Sequence, residues 1–174
     1  MTKDPPHWPL IAELLPELRA YARSLADSAH DAEDLVGDAI ERTLRSAEAP
    51  LEVVPLKHWM FRTLRNLSFD ELRKRRVRRE YASALTRLDA EAPRGQSNLE
   101  DQVLLRRALA DLQAHEREIL VLVDVLGLSY SEAAALIEVP KGTVMSRLSR
   151  ARRALLQRID PAASAMTKSE QRRR

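Results

Sequence analysis

The chain has 174 residues and a formal net charge of +3, from 29 basic and 26 acidic side chains, with four glycines and no cysteine. That length holds one medium domain or two small ones, and the missing cysteines exclude disulfides and thiolate metal sites. Alanine, leucine, arginine and glutamate dominate and are strong helix formers, so the expected class is all-α, two small helical domains joined by a flexible linker.

No stretch approaches the ~20 apolar residues of a membrane span. The opening MTKDPPHWPL carries neither a charged leader nor an apolar run, so a cytoplasmic chain without direct membrane insertion is expected. There is no glycine-rich phosphate loop, and His7, His30, His58 and His115 are scattered rather than spaced as ligands. No catalytic residue, metal or cofactor is therefore expected, and the chain is read as not an enzyme.

A first block is expected over residues 9–80. It opens with a helix over Leu10 to Leu25, in which Pro16 either kinks the helix or begins its main part. A second helix runs from Ser28 to about Ala47. On it Asp31, Asp34, Asp38 and Glu41 recur at i, i+3, i+7 and i+10, which gathers four carboxylates on one face. Leu35, Val36, Ala39, Ile40 and Leu44 take the opposite side. Six acids and no lysine or arginine lie between Asp27 and Glu41, a face that would repel DNA and suits a basic protein partner unless it is simply solvated.

Pro50 and Pro55 bracket a loop before a long helix over about Leu56 to Glu80. Leu56, Met60, Thr63, Leu64 and Leu67 supply its apolar stripe. On another arc Arg62, Arg65, Phe69, Arg73 and Arg76 follow one another, an aromatic ring among guanidinium groups. Such an arc fits single-stranded nucleic acid, whose bases stack on rings while cations track the backbone. Trp59 lies nearby, either as core or as part of that surface. The run Arg73 to Arg79 holds six positive charges in seven residues, which no core accepts, so it faces solvent or a polyanion.

Residues 81–98 read as the linker, since Ala92 to Asn98 packs turn formers together. A second block spans residues 99–160, and a disordered basic tail is expected over 161–174. Within the second block Ser129 and Glu132 have capping-box spacing. Tyr130, Ala133, Ala134 and Ile137 form the stripe of a short helix. A Val139-Pro140-Lys141-Gly142 corner then leads into a helix from about Lys141 to Ile159, buried along Val144, Leu148, Ala151 and Leu155. Its charges are Lys141, Arg147, Arg150, Arg152, Arg153 and Arg158, with no acid among them. This is a helix-turn-helix whose second helix offers Lys141, Thr143, Met145, Ser146, Arg147, Arg150 and Arg152 to DNA.

Three stretches together, His30 to Val36, Trp59 to Leu67 continuing through Asp70 to Arg76, and the terminal helix-turn-helix, resemble the extracytoplasmic-function sigma factors of the sigma-70 superfamily. The resemblance implies a sigma factor that binds core RNA polymerase, reads the −35 and −10 promoter elements and promotes melting and initiation. It implies core-polymerase contacts at Asp31, Asp34, Leu35, Asp38 and Glu41. It implies −10 contacts at Trp59, Arg62, Arg65, Asn66, Phe69, Arg73 and Arg76, and gives the −35 element to the helix-turn-helix. A further implied partner is an anti-sigma factor. Leu18 to Leu25 is similar to the general-stress branch of the group. Departures are Gly37, where glutamine is common, Glu138 in place of a frequent glycine, and Met145 where a basic residue is frequent. The rival reading is a helix-turn-helix regulator that acts on duplex DNA without polymerase, which leaves the acidic and aromatic-arginine helices without a use.

Overall fold

The computed structural model describes residues 6–82, 105 and 107–159, with the backbone alone for 75–82. Among these every regular element is helical. The chain divides into two compact units, Met1–Pro93 and Arg94–Arg174. The expected linker over residues 81–98 begins too early, since Tyr81 and Ala82 are still helical; its remainder, 83–98, and the tail over 161–174 lie outside the described residues.

The first unit is built from α1 (Trp8–Leu25), α2 (Ala29–Arg45) and α3 (Val53–Ala82). Each helix buries a stripe of helical period: Ile11, Leu14, Leu18, Tyr21 and Ala22 on α1, Ala32, Val36, Ala39 and Thr43 on α2, and Leu56, Met60, Phe61 and Leu64 on α3. Alanines on α2 leave room for the large side chains opposite. The Tyr21 and Phe61 rings pack at 5.0 Å with a 49° tilt, an aromatic pairing worth roughly 1 kcal/mol beyond its buried area. The hydroxyl of buried Thr43 donates to the Ala39 carbonyl at 2.7 Å, which lets a polar side chain sit inside. At the edges Arg19 pairs with Glu33 at 3.0 Å, Lys57 pairs with Glu17, and buried His7 places Nε2 3.0 Å from the Ala49 carbonyl.

Three expectations need correction here. Of the two roles expected for Pro16, beginning the main part of α1 is ruled out: it sits inside the helix on an exposed face, and Ala12, whose carbonyl loses its helical donor, is an exposed residue as well. The buried stripe of α2 is rotated, so Leu35, Ile40 and Leu44 are half-buried while Ala32 and Thr43 are inside. The loop before α3 is shorter than Pro50 to Pro55, because α3 begins at Val53 and Pro55 falls in its first turn, where no N–H is needed.

In the second unit, helical residues 107–110 precede α4 (Ala114–Leu120), which runs into a π-helical turn, Val121–Val125. Then follow α5 (Tyr130–Ile137) and α6 (Lys141–Ile159). The Ser129 capping box forms as its spacing requires: the Ser129 hydroxyl accepts from the Glu132 N–H at 3.2 Å, and the Ser129 N–H donates to the Glu132 carboxylate at 2.8 Å. At the far end of α5 Glu138 takes the left-handed conformation, φ 56°. The Val139 N–H then reaches back to the Ala134 carbonyl at 3.1 Å, closing a Schellman turn that aims the chain into α6. Val144, Leu148 and Ala151 of α6 pack inside with Ala133, Leu136 and Ile137 of α5, while Tyr130 and Leu155 are only half-buried.

Candidate functional site

Three helical faces carry the segregated charge. In the first unit α2, the end of α1 and the middle of α3 enclose a groove of about 480 Å³. Asp31, Asp34, Leu35 and Asp38, which the sequence placed on a helix face rather than in a groove, line it, and Asp27, Asp70 and Glu71 add carboxylates from the neighbouring elements. Six acids thus share the lining with two bases, Arg42 and Lys74, and with half-buried Leu25, Leu35 and Leu67 and exposed Leu72. Glu41 is not brought to the groove and pairs instead with Arg45 at 2.7 Å. Sequence reasoning missed Asp70 and Glu71, because both belong to a helix that reads as basic from Arg62 to Arg79 and only packing turns them toward α2.

On α3 the anticipated nucleic-acid residues fall on one strip. At 100° per residue Trp59, Arg62, Arg65, Asn66, Phe69, Arg73 and Arg76 occupy an arc about 120° wide, on the side opposite buried Met60 and Leu64. Arg62, Asn66, Phe69 and Arg73 are exposed, and Trp59 and Arg65 are half-buried. The Arg76 side chain lies outside the described residues. The Arg65 guanidinium stacks 4.6 Å from the centre of the Phe69 ring, and Phe69, though aromatic, is 44% exposed. A flat cation-topped ring in solvent is a ready stacking platform for an unpaired base. Phe61, in contrast, is wholly inside.

Along α6, Lys141, Met145, Ser146 and Arg150 are exposed, and Thr143 and Arg147 are half-buried at the flanks. Arg150 Nε donates to the Ser146 carbonyl at 3.3 Å, which lays that side chain along the helix. Arg152 is the exception among the anticipated DNA residues. Its guanidinium is held by Asp124 of the π-turn through two bonds, 3.0 Å from Nε and 2.5 Å from one terminal nitrogen. The carboxylate raises the Arg152 pKa further, with a smaller contribution from the Tyr130 hydroxyl, so its charge is fixed and already partnered. By helical angle Arg152 falls between Lys141 and Met145, about 160° from Arg150 the short way round, whereas Arg153 lies within about 20° of Ser146. Arg153 is exposed and shares the side of the helix that carries Ser146 and Arg150.

The architecture so far is that of an all-helical protein ending in a helix-turn-helix, with one acidic and two basic faces. Comparison with known proteins narrows that class. Sigma-70 region 2 matches residues 10–78 and Sigma-70 region 4 matches residues 102–155. The ECF RNA polymerase sigma factor EcfG of Rhodopseudomonas palustris is 37% identical over 142 residues, 82% of this chain and 78% of that protein. SigE of Mycolicibacterium smegmatis is 34% identical over 156 residues, 86% of this chain and 60% of that protein. Among solved structures, the sigma factor RpoE in complex with the anti-sigma factor NepR from Bartonella quintana aligns with a TM-score of 0.71 at 33% identity, over 85% of this chain and 94% of that one. The chain belongs to the extracytoplasmic-function RNA polymerase sigma factors.

Proposed function

We propose that the three charged faces divide the work of a sigma factor between them. The acidic, leucine-lined groove between α2 and α3 takes a basic helical element of core RNA polymerase, with Asp31, Asp34, Leu35 and Asp38 at its centre. The α3 strip holds the melted −10 strand: Arg62, Arg65 and Arg73 follow the backbone while Trp59, Asn66 and Phe69 meet unstacked bases. The first turns of α6 read the −35 element in the major groove through Lys141, Thr143, Met145, Ser146, Arg147 and Arg150. The observation that carries this reading is the segregation of charge sign by face, acids along the groove and arginines along the strip and α6, within a chain of net charge only +3.

In this scheme the chain performs no chemistry of its own, and phosphodiester synthesis belongs to the polymerase. Strand opening is favoured because flipped bases and the exposed strand bind the α3 strip better than duplex does, which offsets unstacking. Work alongside the polymerase places the protein in the cytoplasm. The described helices include none long and apolar enough to cross a membrane. An anti-sigma factor is the expected regulator, supported by the likeness to RpoE in complex with NepR, and membership of the general-stress branch rests on Leu18 to Leu25.

The test is reconstitution. Core RNA polymerase is mixed with this chain and with DNA from upstream of the transcripts that rise when the chain is overproduced. Run-off RNA of one defined start, absent with core enzyme alone, is the expected result. Binding of duplex DNA with no RNA would instead favour the polymerase-independent regulator.

A further inference from the structure

The Asp124–Arg152 pair joins residues 28 apart in sequence, and Asp124 lies within the π-turn. Glu118 to Leu122 are all buried, so the chain enters the π-turn from the inside of the unit. The wide turn, closed by the Leu126 N–H on the Val121 carbonyl at 2.9 Å, inserts one residue into the repeat. Val125 is 65% exposed, while Leu126 is half-buried and Leu128, past the turn, is buried. Asp124 emerges on the side that meets α6. Its carboxylate there is one-third exposed, and Arg152 is half exposed.

An ion pair at such exposure adds little stability, but a carboxylate accepting from two nitrogens of one guanidinium fixes direction as well as distance. One arginine on α6 is therefore tied to the turn that precedes α5. Rotation of α6 about its own axis changes which side chains face a DNA groove, and this clasp, beside the buried stripe of Val144, Leu148 and Ala151, opposes it.

We propose that Asp124 is a positioning residue for base reading: through the Arg152 fork it sets the rotation of α6, so that Ser146, Arg150 and Arg153 present in one register, and it withholds Arg152 from the phosphates. The inference rests on the −35 reading of α6 proposed above.

The experiment measures the core polymerase loaded with the full chain on short duplexes. One duplex is selected from a random-sequence pool by the wild-type complex, and the other has the selected motif scrambled. The readouts are the affinity ratio of the two duplexes and the slope of log affinity against log salt. Partial unfolding of a variant lowers both affinities alike, so the ratio reports reading rather than folding. Asp124→Asn and Arg152→Gln are each expected to lower the ratio by roughly five-fold or more, the worth of about one base-pair contact. The double variant should lower it no further, as two members of one unit do. Arg152→Gln should leave the salt slope unchanged. A slope reduced by about 0.9, the value of one lost phosphate contact, would make Arg152 a DNA ligand in its own right and overturn the proposal. Undiminished discrimination in either single variant would overturn it too, while leaving the −35 reading intact. If the wild-type complex itself failed to discriminate, the −35 reading and this inference would fall together.

Discussion

Two positions carry backbone conformations or freedoms that their residue types do not match, and each yields a stability prediction. Gly37 stands mid-way along α2 with nothing within 4 Å of where a Cβ would sit. Alanine there meets no clash and removes freedom from the unfolded chain. Gly37→Ala is expected to stabilise the first unit by roughly 0.5–1 kcal/mol, and calorimetry should show its melting midpoint rise by about 3–6 °C. An unmoved midpoint would mean that α2 does not limit that unit's stability. Glu138 is the converse, a side chain held at φ 56° where its Cβ crowds the carbonyl oxygen. Glu138→Gly should gain up to about 1 kcal/mol in urea unfolding, because glycine takes the left-handed site of a Schellman turn without that cost. Glu138→Ala keeps the Cβ and should gain nothing, which separates backbone strain from loss of the carboxylate's charge.

At the scale of the element, what the sequence revealed follows from how local the governing physics is. The bounds of α6, Lys141 to Ile159, were legible because its start is set by the Pro140 corner and its inner stripe by plain helical period. The capping box of α5 was equally legible, and Ser129→Ala should cost about 1 kcal/mol of that unit's stability by freeing the Glu132 N–H. The rotation of the α2 stripe was not, since Leu35 and Ala32 compete for the inside and only the neighbours of α2 decide between them. The π-turn was hidden as well. Val121 to Val125 reads as a nearly continuous apolar run, and nothing in such a run announces an extra residue per turn. The acidic face was found but its membership was mixed, which makes a contrast testable. Asp34→Lys or Asp38→Lys, both within the groove, should weaken binding to core polymerase by about ten-fold or more, because a like charge then meets the basic partner. Glu41→Lys, outside the groove and paired with Arg45, should change it by less than about two-fold. Equal losses from all three substitutions, read by titrating labelled chain with core enzyme, would show that general charge rather than the groove governs docking.

For the whole molecule the decisive quantity is the effective concentration of one DNA-reading unit once the other is engaged. Each unit carries its own buried core, and the segment Ala92 to Asn98 between them is rich in turn formers. If both units are seated on one polymerase, the surface of the polymerase sets the distance between the −35 and −10 elements, and the connecting segment only keeps the second unit near. Lengthening that segment should then be cheap, since each doubling of a flexible connection costs only about 0.6 kcal/mol. Cutting it should be severe, because the avidity of two linked modules exceeds that of the separate pieces by on the order of 10²–10⁴. Six inserted Gly/Ser residues after Gly95 are accordingly expected to leave the preferred promoter spacing unchanged and to lower run-off transcription by less than about three-fold. The same chain supplied as two separate halves should lose on the order of a hundred-fold or more. Transcription across a set of promoters whose spacer varies one base pair at a time measures both. A spacing optimum that moved with the insertion would mean that the connecting segment, rather than the polymerase, acts as the ruler.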